Sequence, residues 1–195
     1  MMSDVVRVLL VEDDRDFAFL IQKLIDKDDK LEFAGHADCR ALGVEMAHRL
    51  KPNVVVMDLN LYGSELDGID AAKEIRLATD AKVLLLTSYE QPEIIIEASK
   101  KAFASGYIFK SQCHTIADTI YKTAVSDTPQ ALFIKELLLS GLSAAERGVL
   151  NDLIEGNIQT LTSSSLKTIA NQKTSIFKKI GVKSTGELVR LLKNW

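Results

Sequence analysis

Cysteine is scarce in this 195-residue chain: Cys39 and Cys113 stand alone, without the paired spacing of a zinc site or a redox motif. That excludes a disulfide-stapled scaffold, and two isolated thiols fit a reducing compartment. Long apolar runs are missing too. A stretch such as Val83 to Leu86 is strand-sized, against the roughly 18 residues needed to span a bilayer. The opening Met-Met-Ser-Asp lacks the basic, apolar and small-residue succession of a signal peptide. The expectation is a cytoplasmic protein with no membrane partner. There is no internal repeat, and the only biased stretch is the short Thr/Ser run from Thr160 to Ser165. What is present, 47% apolar and 26% charged side chains, is the composition of a globular protein, neither disordered nor fibrous. The length suits one or two domains with ordinary cores.

Charge is divided unevenly. Residues 1–142 hold 16 Lys+Arg against 23 Asp+Glu, a balance of −7, whereas residues 143–195 hold 8 against 4, a balance of +4. An acidic front joined to a basic tail predicts two modules, the second suited to a polyanion or simply carrying a solvated Lys-rich helix face.

The front alternates strand and helix. Val5 to Val11 is an apolar run, and Phe17, Leu20, Ile21 and Leu24 then recur at helical spacing. Leu31 to Ala34 reads as a short strand, and a helix through Leu42, Met46 and Leu50 ends at Lys51-Pro52. Val54 to Met57 is apolar on both faces, as in a central parallel strand. Further strands at Val83–Leu86 and Tyr107–Phe109 alternate with helices through Ile69–Ile75, Ile94–Phe103 and Thr115–Val125. Five such repeats in about 125 residues predict an α/β fold, an open five-stranded parallel sheet with helices on both faces, because a closed barrel needs eight. Thr128-Pro129 breaks the pattern, a helix from Gln130 to Leu139 follows, and Gly141 ends the connector. The tail reads as a small all-α domain. Ser143-x-x-Glu146 is a capping box for a helix stopping at Gly156, a second helix runs through Leu166–Ile180, and Ser184-x-x-Glu187 opens a third. The expected domains are 1–125, a linker over 126–142, and 143–195.

In open parallel sheets, sites form at the carboxyl ends of the strands. Those ends carry Glu12 and Asp13, Asp58, Thr87-Ser88, and Lys110. Three carboxylates converging on one rim repel one another unless neutralised, and Mg2+, a hard cation that takes oxygen ligands, meets that need. Cation and ammonium together can hold a transferring phosphoryl group while an Asp oxygen acts as nucleophile. Each residue also has a plain alternative: Asp14 as a helix cap, Asp58 as a loop acid, Thr87 as a β-prone filler, Lys110 as a solvated strand end.

Val8-Leu9-Leu10-Val11-Glu12-Asp13-Asp14, Val56-Met57-Asp58-Leu59, Leu86-Thr87-Ser88 and Gly106-Tyr107-Ile108-Phe109-Lys110 together resemble the receiver domain of two-component response regulators. The resemblance implies a flavodoxin-like receiver with Asp58 as phosphoacceptor. Glu12, Asp13, Asp58 and the Asn60 carbonyl would hold Mg2+. Thr87 and Tyr107 would be the switch pair and Lys110 the phosphate-binding lysine, while Asn60 and Tyr89 would tune phosphate lifetime. It also implies a partner histidine kinase and a phosphoacceptor regulator rather than an enzyme. Two departures stand out. Ser111 follows Lys110 where the family has a proline in a cis peptide, and a non-proline cis bond costs about 2.5–4 kcal/mol, which leaves a trans peptide open. Leu61-Tyr62, in a longer segment to Gly68, replaces Met-Pro.

The tail resembles a LuxR/NarL-type helix-turn-helix domain through Leu142-Ser143-x-x-Glu146-Arg147-x-Val149-Leu150, Glu155-Gly156 and Ser175-Ile176-Phe177-Lys178-Lys179-Ile180-Gly181-Val182-Lys183-Ser184. Ser165 to Ile180 would then contain the recognition helix, with Lys167, Asn171 and Gln172 as base or phosphate contacts and Lys178 and Lys179 as phosphate contacts. Only eight residues, Asn157 to Ser164, stand where a support helix belongs, which predicts a missing or rudimentary one. The leading expectation is a phosphorylation-dependent transcriptional regulator that binds DNA as a homodimer. The alternatives are a phospho-switched signalling adaptor and, third, a phosphatase-class enzyme, which would need a second catalytic acid where Asn60 stands.

Overall fold

The structure, a computed structural model, describes residues 5–62, 64, 67–156 and 166–195, without the side chains of Leu166 and Lys167. The chain divides into two compact units, Met1–Ile134 and Lys135–Trp195. The expected segment from Asn157 to Ser164 lies outside the described residues.

The first unit alternates β1 (Val6–Val11), α1 (Arg15–Ile25), β2 (Leu31–Ala37), α2 (Arg40–Leu50), β3 (Val54–Asp58), α3 (Asp67–Ala78), β4 (Lys82–Thr87), α4 (Pro92–Lys101), β5 (Gly106–Phe109) and α5 (Ile116–Val125). All strand pairs are parallel, in the order β2-β1-β3-β4-β5. The central strands are buried on both faces, which is why their sequences are apolar without alternation. Leu9, Val11, Val55, Met57 and Leu85 pack with α2, α3 and α4. Val8, Leu10, Val54, Val56, Leu84 and Leu86 pack with α1 and α5. The five-stranded sheet between two helical layers is therefore as expected.

Several boundaries differ. β2 runs three residues beyond Ala34, because the register slips between Val8 and Leu9 and leaves Ala34 unpaired before Gly35 joins Leu9. α4 ends at Lys101, and Phe103 turns the chain back with φ 54°. Its carbonyl accepts from Nε of Arg76 at 2.9 Å, and the Ala81 carbonyl accepts from Nη1 at 3.1 Å. Burial pushes that arginine down to about 10, still far above neutral pH. After β5 the chain enters a 3-10 turn over Lys110–Thr115, and no described peptide, Lys110–Ser111 included, is cis.

α6 (Pro129–Leu139) spans the division between the units. Within the second unit, α7 (Ala144–Glu155) packs against α8 (Leu166–Ile180) and α9 (Thr185–Lys193). The α7 capping box forms on both sides, and Gly156 ends the helix at φ 75°. Ser184 caps α9, but the carboxylate of Glu187 accepts instead from the Lys183 N–H.

Candidate functional site

The parallel strands end on one rim, and their register sets which residues emerge as neighbours there. Val11 lies opposite Met57, so Glu12 and Asp58 emerge side by side; Asp58 lies opposite Leu86, and Thr87 opposite Phe109, so Thr87 and Lys110 follow on the same rim. The Lys110 Nζ donates to Glu12 Oε1 at 2.9 Å and to Asp58 Oδ2 at 3.0 Å. It also lies 2.7 Å from Glu12 Oε2, as an ion pair without hydrogen-bond alignment. One oxygen from each of Glu12, Asp13 and Asp58 falls within 4.8 Å of the others.

The electrostatics follow from burial. Glu12 is fully buried; burial raises its carboxyl to about 7, helped by the charge of Asp58 and opposed by Lys110. Burial works against the Lys110 ammonium as well, but its bonds to Glu12 and Asp58 outweigh that and raise it. Asp58 is 3% exposed, and its Oδ1 accepts from the Asn60 N–H at 3.2 Å. One ammonium thus stands against three carboxylates, which leaves the rim with an excess of negative charge. The donor set, all hard carboxylate oxygen, fits a divalent cation of the Mg2+ kind.

The remaining expected residues sit around this centre. Thr87 is buried, and its Oγ1 accepts from the Tyr89 N–H at 2.9 Å. Tyr107 is half-buried, edge-on to Phe109, and its backbone N–H donates to Oε1 of Gln130 at 3.2 Å. Asp14 caps α1, accepting from the Asp16 and Phe17 N–H groups. Three neighbours were not singled out from the sequence. His36 Nε2 lies 2.7 Å from the Glu12 carbonyl, the Tyr62 N–H donates to Asp13 Oδ2 at 2.9 Å, and the Phe17 ring lies under Lys110. The first two contacts involve a main-chain atom, and Phe17 falls on the apolar period of α1, so no local signal marked them.

In the second unit, Asn171 and Lys178 are exposed on α8 and Gln172 is half-buried, while the side chain of Lys167 lies outside the described residues. Lys179 is differently placed. Its Nζ donates to the buried Glu146 at 2.7 Å, and the same carboxylate accepts from Ser175 Oγ and the Ser143 N–H. The side-chain bonds to Lys179 and Ser175 hold Glu146 down to about 2. A depressed carboxylate stabilises above its unfolded pKa, near 4.5, and that contribution is lost as pH falls toward 2. Trp195, the one tryptophan, is buried in this unit and reports on it. Denaturation followed by Trp195 fluorescence should show the midpoint falling between pH 5 and pH 2, and Glu146→Gln should flatten that dependence.

The sheet order, the acidic rim and its lysine define a receiver, and the comparisons agree. The chain belongs to the response regulator family: the response regulator receiver domain matches residues 8–120. It is 25% identical over 206 residues to the transcriptional regulatory protein YdfI of Bacillus subtilis, covering 95% of this chain and 94% of the relative. With the nitrate/nitrite response regulator protein homolog of Haemophilus influenzae, identity is 30% over 166 residues, covering 80% and 78%. Among solved structures, the Salmonella typhimurium RcsB response regulator superposes with TM-score 0.58 at 23% identity, covering 97% of this chain and 98% of that one, a likeness of fold. The response regulator domain of Thermotoga maritima CheB gives TM-score 0.57 at 27% identity, covering 64% and 99%. Among the described residues, no helix is long and apolar enough to cross a membrane.

Proposed function

We propose that this chain is the regulator of a cytoplasmic two-component system, phosphorylated on Asp58 by a partner histidine kinase and acting on transcription through DNA binding by residues 143–195. The carrying observation is the Lys110 ammonium held between two buried carboxylates, Glu12 and Asp58, beside Asp13. An Asp58 oxygen attacks phosphorus, the donor P–N bond breaks, and its electron pair leaves with the nitrogen, which takes up a proton. Lys110 turns toward the phosphoryl oxygens. Thr87 Oγ1, which accepts from Tyr89, keeps its own proton to donate. Mg2+ held by Glu12, Asp13, Asp58 and the Asn60 carbonyl would supply charge neutralisation on the donor phosphoryl. The aspartyl phosphate replaces the single charge of Asp58 with about two negative charges, enough to draw Thr87 inward and repack Tyr107, favouring a homodimer. The chain consumes one phosphoryl per molecule, so it is a stoichiometric acceptor and not an enzyme.

DNA binding is supported by the basic tail and by likeness to transcriptional regulators; RcsB itself has been solved as a DNA complex. A second reading, the phospho-switched adaptor, gains from Lys179 being committed to Glu146, which withdraws one expected phosphate contact. One experiment separates them. The full chain is treated with a phosphoramidate donor and Mg2+, followed by intact mass and by selection of genomic DNA fragments. The expected result is one phosphate per chain, labile to hydroxylamine, and fragment retention that weakens steeply with salt. No phosphate overturns the switch; phosphate without DNA retention at low salt overturns the transcriptional half in favour of the adaptor.

A further inference from the structure

We infer that Phe17, on the first turn of α1, is a positioning residue for Lys110 and sets the rate at which Asp58 takes a phosphoryl group. The inference rests on the phosphoacceptor reading of Asp58 and adds a residue to that site. The Lys110 Nζ lies 4.8 Å from the centroid of the Phe17 ring while bonded to Glu12 and Asp58. A ring face attracts an ammonium through its quadrupole, more strongly where water is excluded, and Lys110 is only 21% exposed. Phe17 is itself fixed. Its N–H is capped by Asp14 at 3.0 Å, and its ring packs partly buried against the core between the sheet, α1 and α5.

The two kinds of contact behave differently during transfer. When Asp58 forms its bond to phosphorus and the donor P–N bond breaks, the Asp58 oxygen loses its negative charge, and Lys110 must shift toward the phosphoryl oxygens. Carboxylate hydrogen bonds are directional and resist that shift. The ring's attraction is diffuse and persists as the ammonium slides over it. Phe17 thereby keeps Lys110 on the rim throughout the step, where its charge meets the developing charge of the transferring group.

Fluorinating the ring at position 17 tests this, because each fluorine weakens the ring quadrupole with little change in volume. The full chain with 4-fluoro-, 3,5-difluoro- or 3,4,5-trifluorophenylalanine at position 17 is phosphorylated from a phosphoramidate donor at saturating Mg2+. The expected logarithm of the rate falls steadily along the series, by about threefold to tenfold in all. Phe17→Leu should match the trifluoro chain and Phe17→Trp should restore the rate. A cation-free readout accompanies it: the Lys110 ε-methylene protons should be shifted upfield by the ring current, and that shift should vanish in Phe17→Leu. A flat series, or Leu and Trp variants equally slow, overturns the inference and leaves Phe17 a packing residue. Absence of phosphate on the unsubstituted chain overturns the Asp58 reading instead, so the two failures are distinguishable.

Discussion

Asp58→Asn should take up no detectable phosphate from a phosphoramidate donor, while the far-UV circular dichroism of the chain stays unchanged. The amide is nearly the shape of the carboxylate but offers no anionic oxygen to attack phosphorus. The fold tolerates the change because the amide oxygen can still accept from the Asn60 N–H. What it loses is one of two carboxylate partners of Lys110, and the Glu12–Lys110 pair remains to hold that side chain. Glu12 should respond in turn. Burial and then the charge of Asp58 raise it to about 7, so removing that charge lowers it. The linkage has a definite sign. A buried acid whose folded pKa lies above its unfolded value binds its proton more tightly when folded, so cation-free stability declines as pH rises from about 4.5 toward 7. In Asp58→Asn that decline should be shallower. Undiminished phosphate on Asp58→Asn would move the nucleophile to Asp13 or Glu12.

The contrast between what was legible in the sequence and what was not follows the range of the interactions. Glu12, Asp58, Thr87 and Lys110 could be placed together because each follows an apolar run, and parallel strands of one sheet end on one rim whatever their register. The capping of α7 by Ser143 and Glu146 was equally readable, since both partners lie within one turn. The second half of β2 was not. Gly35 and His36 break the apolar run, yet a Cβ at Gly35 would meet Met46 Cε at 2.5 Å, so the glycine marks close packing inside a strand. Lys179 read as a DNA-phosphate contact because its partner, Glu146, lies 33 residues away. The loop after Asp58 read only as a departure from the family pattern. Its contact with Asp13 comes from the backbone of Tyr62, in a left-handed conformation at φ 51°, and a main-chain donor leaves no mark on residue type.

Gly68→Ala should be the most damaging small change to the receiver fold, costing about 2–4 kcal/mol, with phosphate uptake slowed more than tenfold. Gly68 lies in the first turn of α3, where the helix presses on the end of β3. A Cβ at this position would collide with the Asp58 carbonyl oxygen and stand 2.7 Å from that of Leu59. Both obstacles are main chain, so no rotamer change relieves them. Either α3 withdraws from the sheet, or the backbone carrying Asp58 is displaced and moves the nucleophile relative to Glu12 and Lys110. Stability and chemistry should therefore fail together. Gly43→Ala supplies the comparison. There the added Cβ meets Val11 Cγ2 at 2.9 Å, a side-chain atom, although Val11 is fully buried. A loss of about 1 kcal/mol with near-normal phosphate uptake is expected, because Glu12 follows Val11 on a strand held on both sides by β2 and β3. Urea denaturation followed by circular dichroism, paired with the rate of phosphate uptake, measures both. If Gly68→Ala matched Gly43→Ala in both measurements, α3 would not be seated against the carbonyls of Asp58 and Leu59.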